Sequence, residues 1–262
     1  NSGMSFGNAI VLKEAKGYSL RVVLKAPSKN NAAHEATAAA SNMMAKIVSS
    51  TGEVLFSTSF PIMPSGEWAT STANFSAPAT DLNATLQLTA TGEWWLGSVS
   101  LTPTTGVWRG MRLDVIENLK QTGFTGLFRY PGGCYAPFYR WKIGLLEADQ
   151  RPPIETPPGY CDAVAGGVNA YTDGMMENGI STDDYLALCE YVGLVPAITI
   201  RFQMGTAEDV QEARDWVEYV NGGVDTLYGA LRARRGHPEP YNVTYWYLGN
   251  EIAQQARQPD YP

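Results

Sequence analysis

The residues best placed to do chemistry follow a short apolar run. Val243-Thr244-Tyr245-Trp246-Tyr247-Leu248 leads into Gly249-Asn250-Glu251, which sets a carboxylate beside a carboxamide. At the end of a strand, walled by Trp and Tyr, Glu251 is expected to be partly desolvated, and desolvation raises a carboxyl pKa toward the range a general acid needs. Asn250 could donate to a substrate hydroxyl next to the reacting atom. An equal reading of the same residues is a loop Glu that caps the following helix. Arg129-Tyr130-Pro131-Gly132-Gly133-Cys134 is the second constellation. There a strand would deliver Arg129 inward, Pro-Gly-Gly would let the backbone approach a ligand, and Cys134 would emerge at the mouth. The competing reading is a buried Arg paired with a structural carboxylate beside an inert thiol. Cys134 as a nucleophile would need a base, and the two histidines, His34 and His237, lie in the first half and before a proline. Trp141 could be a platform for the apolar face of a sugar ring or a core residue, and the same alternatives hold for Trp94-Trp95.

Two kinds of element must carry these residues. From Ala9 to about Pro103 apolar residues alternate in short runs, such as Tyr18 to Leu24, Val54 to Phe56, Thr85 to Thr89 and Trp94 to Leu101, broken by turn residues. That pattern predicts a β-sandwich, jelly-roll-like, over 1–103. The stretch Asn31 to Ala40 fits a helical turn or a loop equally well. After Pro103-Thr104-Thr105-Gly106 the period lengthens. Arg112 to Thr122 places Leu113, Ile116 and Leu119 on one helical face and stops at Gly123, and Leu127 to Tyr130 reads as a strand. Ser181 or Thr182 caps a second helix with Tyr185, Leu188, Cys189 and Val192 inward, ended by Gly193 before a strand from Val195 to Phe202. Thr206 caps a third, with Val210, Ala213, Val217 and Val220 as its stripe, and a strand from Asn242 to Leu248 follows. Strand, helix, strand, helix, strand predicts parallel βα units, whose sites lie past the C-terminal ends of the strands.

Composition narrows the function classes. The chain of 262 residues carries 19 Lys+Arg against 26 Asp+Glu, a net charge of −7, with 44% hydrophobic residues. It is too apolar for disorder and too acidic to favour a phosphate backbone, so no nucleic-acid partner is expected. The uncharged run Tyr191 to Ile200 is broken by Pro196 and falls short of the roughly 20 residues that span a bilayer, so no membrane partner is expected either. The Arg232, Arg234, Arg235 group is expected to be a solvated helix end. Cys134, Cys161 and Cys189 lack zinc-site spacing and allow at most one bridge, with the choice of pair left open. Sequons at Asn74, Asn83 and Asn242 favour an extracellular, secreted location. Asn1-Ser2-Gly3 opens directly onto folded-looking sequence, so the chain is expected to be processed or cut from something longer.

Arg129 to Cys134, Tyr139-Arg140-Trp141, Arg151-Pro152, Ala213 to Tyr219, Gly236 to Trp246 and Gly249-Asn250-Glu251 occur in one order over about 104–254. This ensemble closely resembles the α-L-arabinofuranosidases of glycoside hydrolase family 51. The resemblance implies a β-sandwich, carbohydrate-binding-module-like, over 1–103, with Gly92 to Pro103 as its closing strand. It then implies strands two to four of a TIM (β/α)8 barrel within 104–262, an incomplete catalytic domain. It implies a retaining hydrolase that removes terminal α-L-arabinofuranosyl groups from arabinoxylan or arabinan. Glu251 would be the acid/base, Asn250 would bind the sugar hydroxyl beside the anomeric carbon, Cys134 would line the pocket, Arg129 would steady the carboxylate and Trp141 would border the site. The nucleophilic Glu would end strand seven, outside this chain, so this chain alone is expected to be inactive and the remainder of the enzyme is an expected partner. No metal or cofactor is implied, because carboxylates suffice for a covalent glycosyl intermediate. Leu145-Leu146-Glu147 departs from the Gly-Pro common in the family, and Pro157 to Thr172 matches nothing in it. A β-xylosidase or endo-glucanase on the same barrel type, or a non-catalytic carbohydrate-binding fragment, are the alternatives.

Overall fold

The structure is a computed structural model that describes residues 2–26, 42–63, 66–155, 175–202 and 205–252. The chain divides into two compact units, Asn1–Asp114 and Val115–Pro262.

Period-two alternation builds the first unit. One antiparallel sheet runs in the order β1 (Ser2–Leu12), β6 (Asp81–Ala90), β3 (Asn42–Val48), β4 (Val54–Pro61). The other runs β5 (Ala69–Ser76), β2 (Gly17–Lys25), β7 (Trp95–Pro103). Leu20, Val22 and Leu24 of β2 meet Met43, Ala45 and Ile47 of β3 and Leu86 and Leu88 of β6 in one buried core. Each of these Val, Leu, Ile and Met side chains contributes about 1.5–3 kcal/mol when fully buried. This is the antiparallel sandwich expected from the alternation. Asn31 to Ala40 lies outside the described residues. A short hairpin, β8 (Val107–Trp108) with β9 (Met111–Arg112), turns on Arg109 and Gly110, whose φ values of 49° and 79° suit a turn twisted like the strands it joins.

The helix α1 (Leu113–Gln121) buries Ile116 and ends as expected near Gly123, at φ 68°. In the second unit β10 (Leu127–Tyr130) is followed by a two-stranded ribbon, β11 (Ile154–Glu155) with β12 (Met175–Met176). Then come α2 (Thr182–Val192), β13 (Val195–Ile200), α3 (Ala207–Asn221), α4 (Leu227–Arg234) and β14 (Tyr245–Leu248). The three long strands form a parallel sheet in the order β10-β13-β14. The caps explain the helix limits. Ser181, rather than Thr182, makes a reciprocal capping box with Asp184, Gly193 closes α2 at φ 86°, and Thr206 makes the same box with Asp209.

Pro196 sits in the central strand, where it cannot donate to the ladder. The Tyr185 hydroxyl of α2 fills that gap: it accepts from the Ala197 amide at 2.7 Å and donates to the Phe128 carbonyl at 2.5 Å.

Two expectations are corrected. Val210 and Val217, placed on the buried stripe of α3, are 46% and 41% exposed, while Trp216, Tyr219 and Val220 are buried. The aromatic side of the helix hides more surface than the valine side, so it wins the interior. The valine side lines an open apolar groove of about 580 Å³ with Ile200 and Phe202. Arg232 is not solvated: it is 0% exposed and donates to the carbonyls of Tyr219, His237 and Pro238, which satisfies a buried guanidinium with backbone acceptors. The helix α4, capped by Thr226, ends at Arg234, so the Arg group does close a helix as expected.

Candidate active site

The C-terminal ends of the three parallel strands bring the expected residues to one edge of the second unit. At β14 the chain turns at Gly249, whose amide donates to the Ile200 carbonyl at 3.0 Å and whose φ is 69°. The turn tucks Asn250 in, at 8% exposure, and sends Glu251 out. Glu251 has φ 54°, a left-handed conformation that costs a non-glycine residue roughly 1–3 kcal/mol and concentrates at functional sites.

Arg129, two strands away on β10, reaches across β13. Its Nη2 donates to Asn250 Oδ1 at 3.4 Å, and its guanidinium lies 5.5 Å from the centre of the Tyr247 ring. Gly132 makes room for this arm, since a Cβ there would stand 3.3 Å from Arg129 Nη2. Arg129, Asn250 and Glu251 are therefore gathered at one strand edge, as the spacing of the motifs suggested. Tyr247, expected as a wall residue, is a partner of Arg129. It shares the sheet face of Arg129 because it registers with Thr199, and Arg129 with Ala197, and two-residue alternation along β13 places these on one side.

The surroundings of Glu251 differ from expectation. The residue is exposed, so the desolvation expected from Trp and Tyr walls is absent here. Trp246 turns back to donate Nε1–H to the Val243 carbonyl at 3.1 Å, and Tyr247 lies against Arg129. Neither ring covers a side chain beyond the Gly249 turn. Arg129 is likewise exposed rather than enclosed, because it points to the face opposite the one on which Tyr185 stacks with Phe128 and Tyr130.

Cys134 is disulfide-bonded and Cys189 is a free, buried thiol, so Cys161 and Cys189 do not pair; Cys161 lies outside the described residues. A thiol held in a disulfide cannot act as a nucleophile. His237 is not near that role either: it stacks on Tyr241, with Nε2 3.1 Å from Glu190 and Nδ1 2.7 Å from the Glu239 carbonyl, while His34 lies outside the described residues. Burial pushes the Cys189 thiol up to about 11.

Trp141 is a core residue, which corrects its expected place at the border of the site. It is 1% exposed, donates Nε1–H to the Glu212 carbonyl at 3.0 Å and packs between Trp216 and Tyr219 of α3 and Tyr228 of α4. No ring face is left for a ligand. Of the other tryptophan pair, Trp94 packs on the sandwich core and Trp95 is 41% exposed.

A cluster of tyrosines floors the end of β10. Tyr130 stacks on Tyr185 at 5.1 Å and meets Tyr139 edge-on at 5.2 Å, and its hydroxyl donates to the Ile180 carbonyl at 2.6 Å. Burial, and then the neighbouring Tyr139 and Tyr135, hold the Tyr130 phenol well above its ordinary pKa. The floor is neutral at any physiological pH. Such an edge can exchange a proton through Glu251 while Asn250, fixed by Arg129, holds a polar group beside it.

A family model described as the alpha-L-arabinofuranosidase 1 domain matches residues 116–262. A probable alpha-L-arabinofuranosidase C of Aspergillus fumigatus is 39% identical over 143 residues, which cover 55% of this chain and 25% of that protein. An intracellular exo-alpha-L-arabinofuranosidase of Bacteroides ovatus is 31% identical over 161 residues, 61% of this chain and 27% of the relative. The chain thus spans about a quarter of the length of the curated relatives it matches. A solved arabinose-bound GH51 α-L-arabinofuranosidase shares the fold with a TM-score of 0.72 at 20% identity, over 99% of this chain and 43% of that one.

Proposed function

Because the chain belongs to the glycoside hydrolase family 51 α-L-arabinofuranosidases, of which it is a part, we propose that it carries the acid/base half of a retaining arabinofuranosidase site. The observation that supports this most directly is the convergence of Arg129 and Asn250 beside an outward-pointing, left-handed Glu251 at the ends of parallel strands. In this reading β10, β13 and β14 are strands two, three and four of a (β/α)8 barrel. Glu251 protonates the departing glycosidic oxygen and then takes a proton from the attacking water. Asn250 donates to the hydroxyl next to the anomeric carbon. The nucleophilic carboxylate, about 5–5.5 Å from Glu251 in the assembled site, is supplied by polypeptide outside this chain. Terminal arabinofuranosyl groups of arabinoxylan or arabinan are the substrate class. The disulfide at Cys134 and the exposed sequon residues Asn74, Asn83 and Asn242 support secretion, since disulfides persist in oxidising compartments.

Release of nitrophenol from nitrophenyl α-L-arabinofuranoside by the assembled enzyme tests the role of Glu251. Glu251→Ala is expected to lower kcat by about 100- to 10,000-fold, the usual contribution of a general acid, with recovery on adding azide. Unchanged turnover in that variant, or preferential release from the nitrophenyl xyloside, would refute the assignment.

A further inference from the structure

The outer face of the β5-β2-β7 sheet has a composition that the sandwich core does not explain. Strand alternation turns Ser19, Arg21 and Lys25 of β2 outward, and register sets Thr70, Thr72 and Asn74 of β5 and Ser100 and Thr102 of β7 beside them. At one end of this polar field stand Trp68 and Trp95, 49% and 41% exposed. The Lys25 ammonium lies 5.5 Å from one ring centre and 5.3 Å from the other, within cation–π range of both.

Both indoles are held in place. Trp95 donates Nε1–H to Glu93 at 3.4 Å. Trp68 lies against Gly97, where a Cβ would stand 3.1 Å from its ring, so glycine is what lets the indole rest on the strand. Two large aromatic surfaces left in water are costly unless something covers them. The field beside them stretches from Lys25 to Ser19, about 20 Å along the strand.

The chemistry of this face selects its occupant. A protein partner would gain little, because the only other apolar residue turned outward on β2, Val23, is already 7% exposed. A polyanion is disfavoured by the net charge of −7. A sugar chain matches on both counts, with apolar C–H faces for the indoles and hydroxyls for a row of Ser, Thr and Asn side chains. We infer that this face is a glycan-binding surface, with Trp68 and Trp95 as sugar platforms and the hydroxyl rows of β5 and β7 as polar contacts to an extended polysaccharide. It lies wholly within the first unit and does not depend on the proposed hydrolysis.

Affinity electrophoresis of the full chain in gels containing arabinoxylan, branched arabinan or mixed-linkage β-glucan tests it. Retardation is expected in at least one gel, together with protection of indole fluorescence from acrylamide when that glycan is added. The double substitution Trp68→Ala with Trp95→Ala should lower the association constant at least tenfold with the far-ultraviolet dichroism unchanged. Thr72→Glu, on the outer face of an edge strand, adds bulk to the field without touching the core and should weaken retention as well. Gly97→Val, which pushes the Trp68 ring off the strand, is expected to do the same. No retardation of the native chain in any gel, or equal retardation of the native chain, the double tryptophan variant and Thr72→Glu, overturns the inference. Turnover of the small nitrophenyl arabinofuranoside by the assembled enzyme is expected to be unaffected by these substitutions, so the two readings fail separately.

Discussion

Glu251 does what few non-glycine residues do: it adopts φ 54° immediately after a glycine at φ 69°. The two left-handed residues flank Asn250, reverse the chain within a few ångströms of β14 and separate a buried carboxamide from an exposed carboxylate. Asn250→Ala should therefore affect binding geometry more than proton transfer. In the assembled enzyme it removes the acceptor of Arg129 and the proposed hydroxyl donor, and a hydrogen bond to a charged group is worth about 1.5–3 kcal/mol. The expected loss in kcat/KM is roughly 10- to 100-fold, with the pH profile of kcat unmoved, as measured by steady-state kinetics across pH. A shifted profile would instead make Asn250 part of the proton relay. The motif carrying these residues is readable in the sequence as carboxylate, carboxamide and strand end. Exposure is not, because the turn at Gly249 decides which side chain turns inward. Cys134 teaches the same lesson, since three cysteines leave the pairing open and only chain proximity closes it.

Among the elements, the helices held most closely to their sequence signals, because caps are local. Ser181, Thr206 and Gly193 act within one turn of the backbone they terminate. Faces are not local. The aromatic side of α3 is drawn in by Trp141 and by a polar lock in which Lys142, Gln211 and Tyr228 all donate to Asp215. Burial works against the Asp215 carboxylate, but those hydrogen bonds outweigh it and hold its pKa below the usual aspartate range. A depressed carboxyl pKa stabilises the fold above its unfolded value of about 3.9, and that contribution is lost as the pH falls through the folded value. Asp215→Asn should cost about 1–3 kcal/mol at pH 7 by leaving Lys142 without its carboxylate, and should flatten the loss of stability between pH 5 and pH 2. Urea midpoints at pH 7 and pH 3 check both; equal midpoints in variant and native chain at pH 7 would remove the lock from the account.

At the scale of the whole molecule, the second unit leaves apolar surface uncovered among the described residues. Leu127, Val195, Tyr245 and Tyr247 are 37–50% exposed on one face of the parallel sheet, and the valine side of α3 lines its open groove. Surface of that kind marks an interaction site or an aggregation hazard, which accords with a chain that spans a quarter of its relatives. The proposed secretion has its own test at this scale. Chain expressed through a eukaryotic secretory route should lose mass on treatment with peptide N-glycosidase, and peptide mapping should place the sugars on Asn83 or Asn242, since Asn74 lies on the inferred glycan-binding face; unmodified asparagines at both sites would remove the sequon support. What the sequence by itself determined is the order of elements, alternating strands and then βα units, the helix limits, and the strand edge where Arg129, Asn250 and Glu251 meet. Periodicity and caps are properties of neighbouring residues, and so was the ensemble of motifs that resembled the family. What only the tertiary structure decided is which tryptophans face water, which side of α3 is buried, that Arg232 is enclosed and that Glu251 is not. Each of these is a competition between surfaces brought together from distant parts of the chain, and no local pattern records which surface wins.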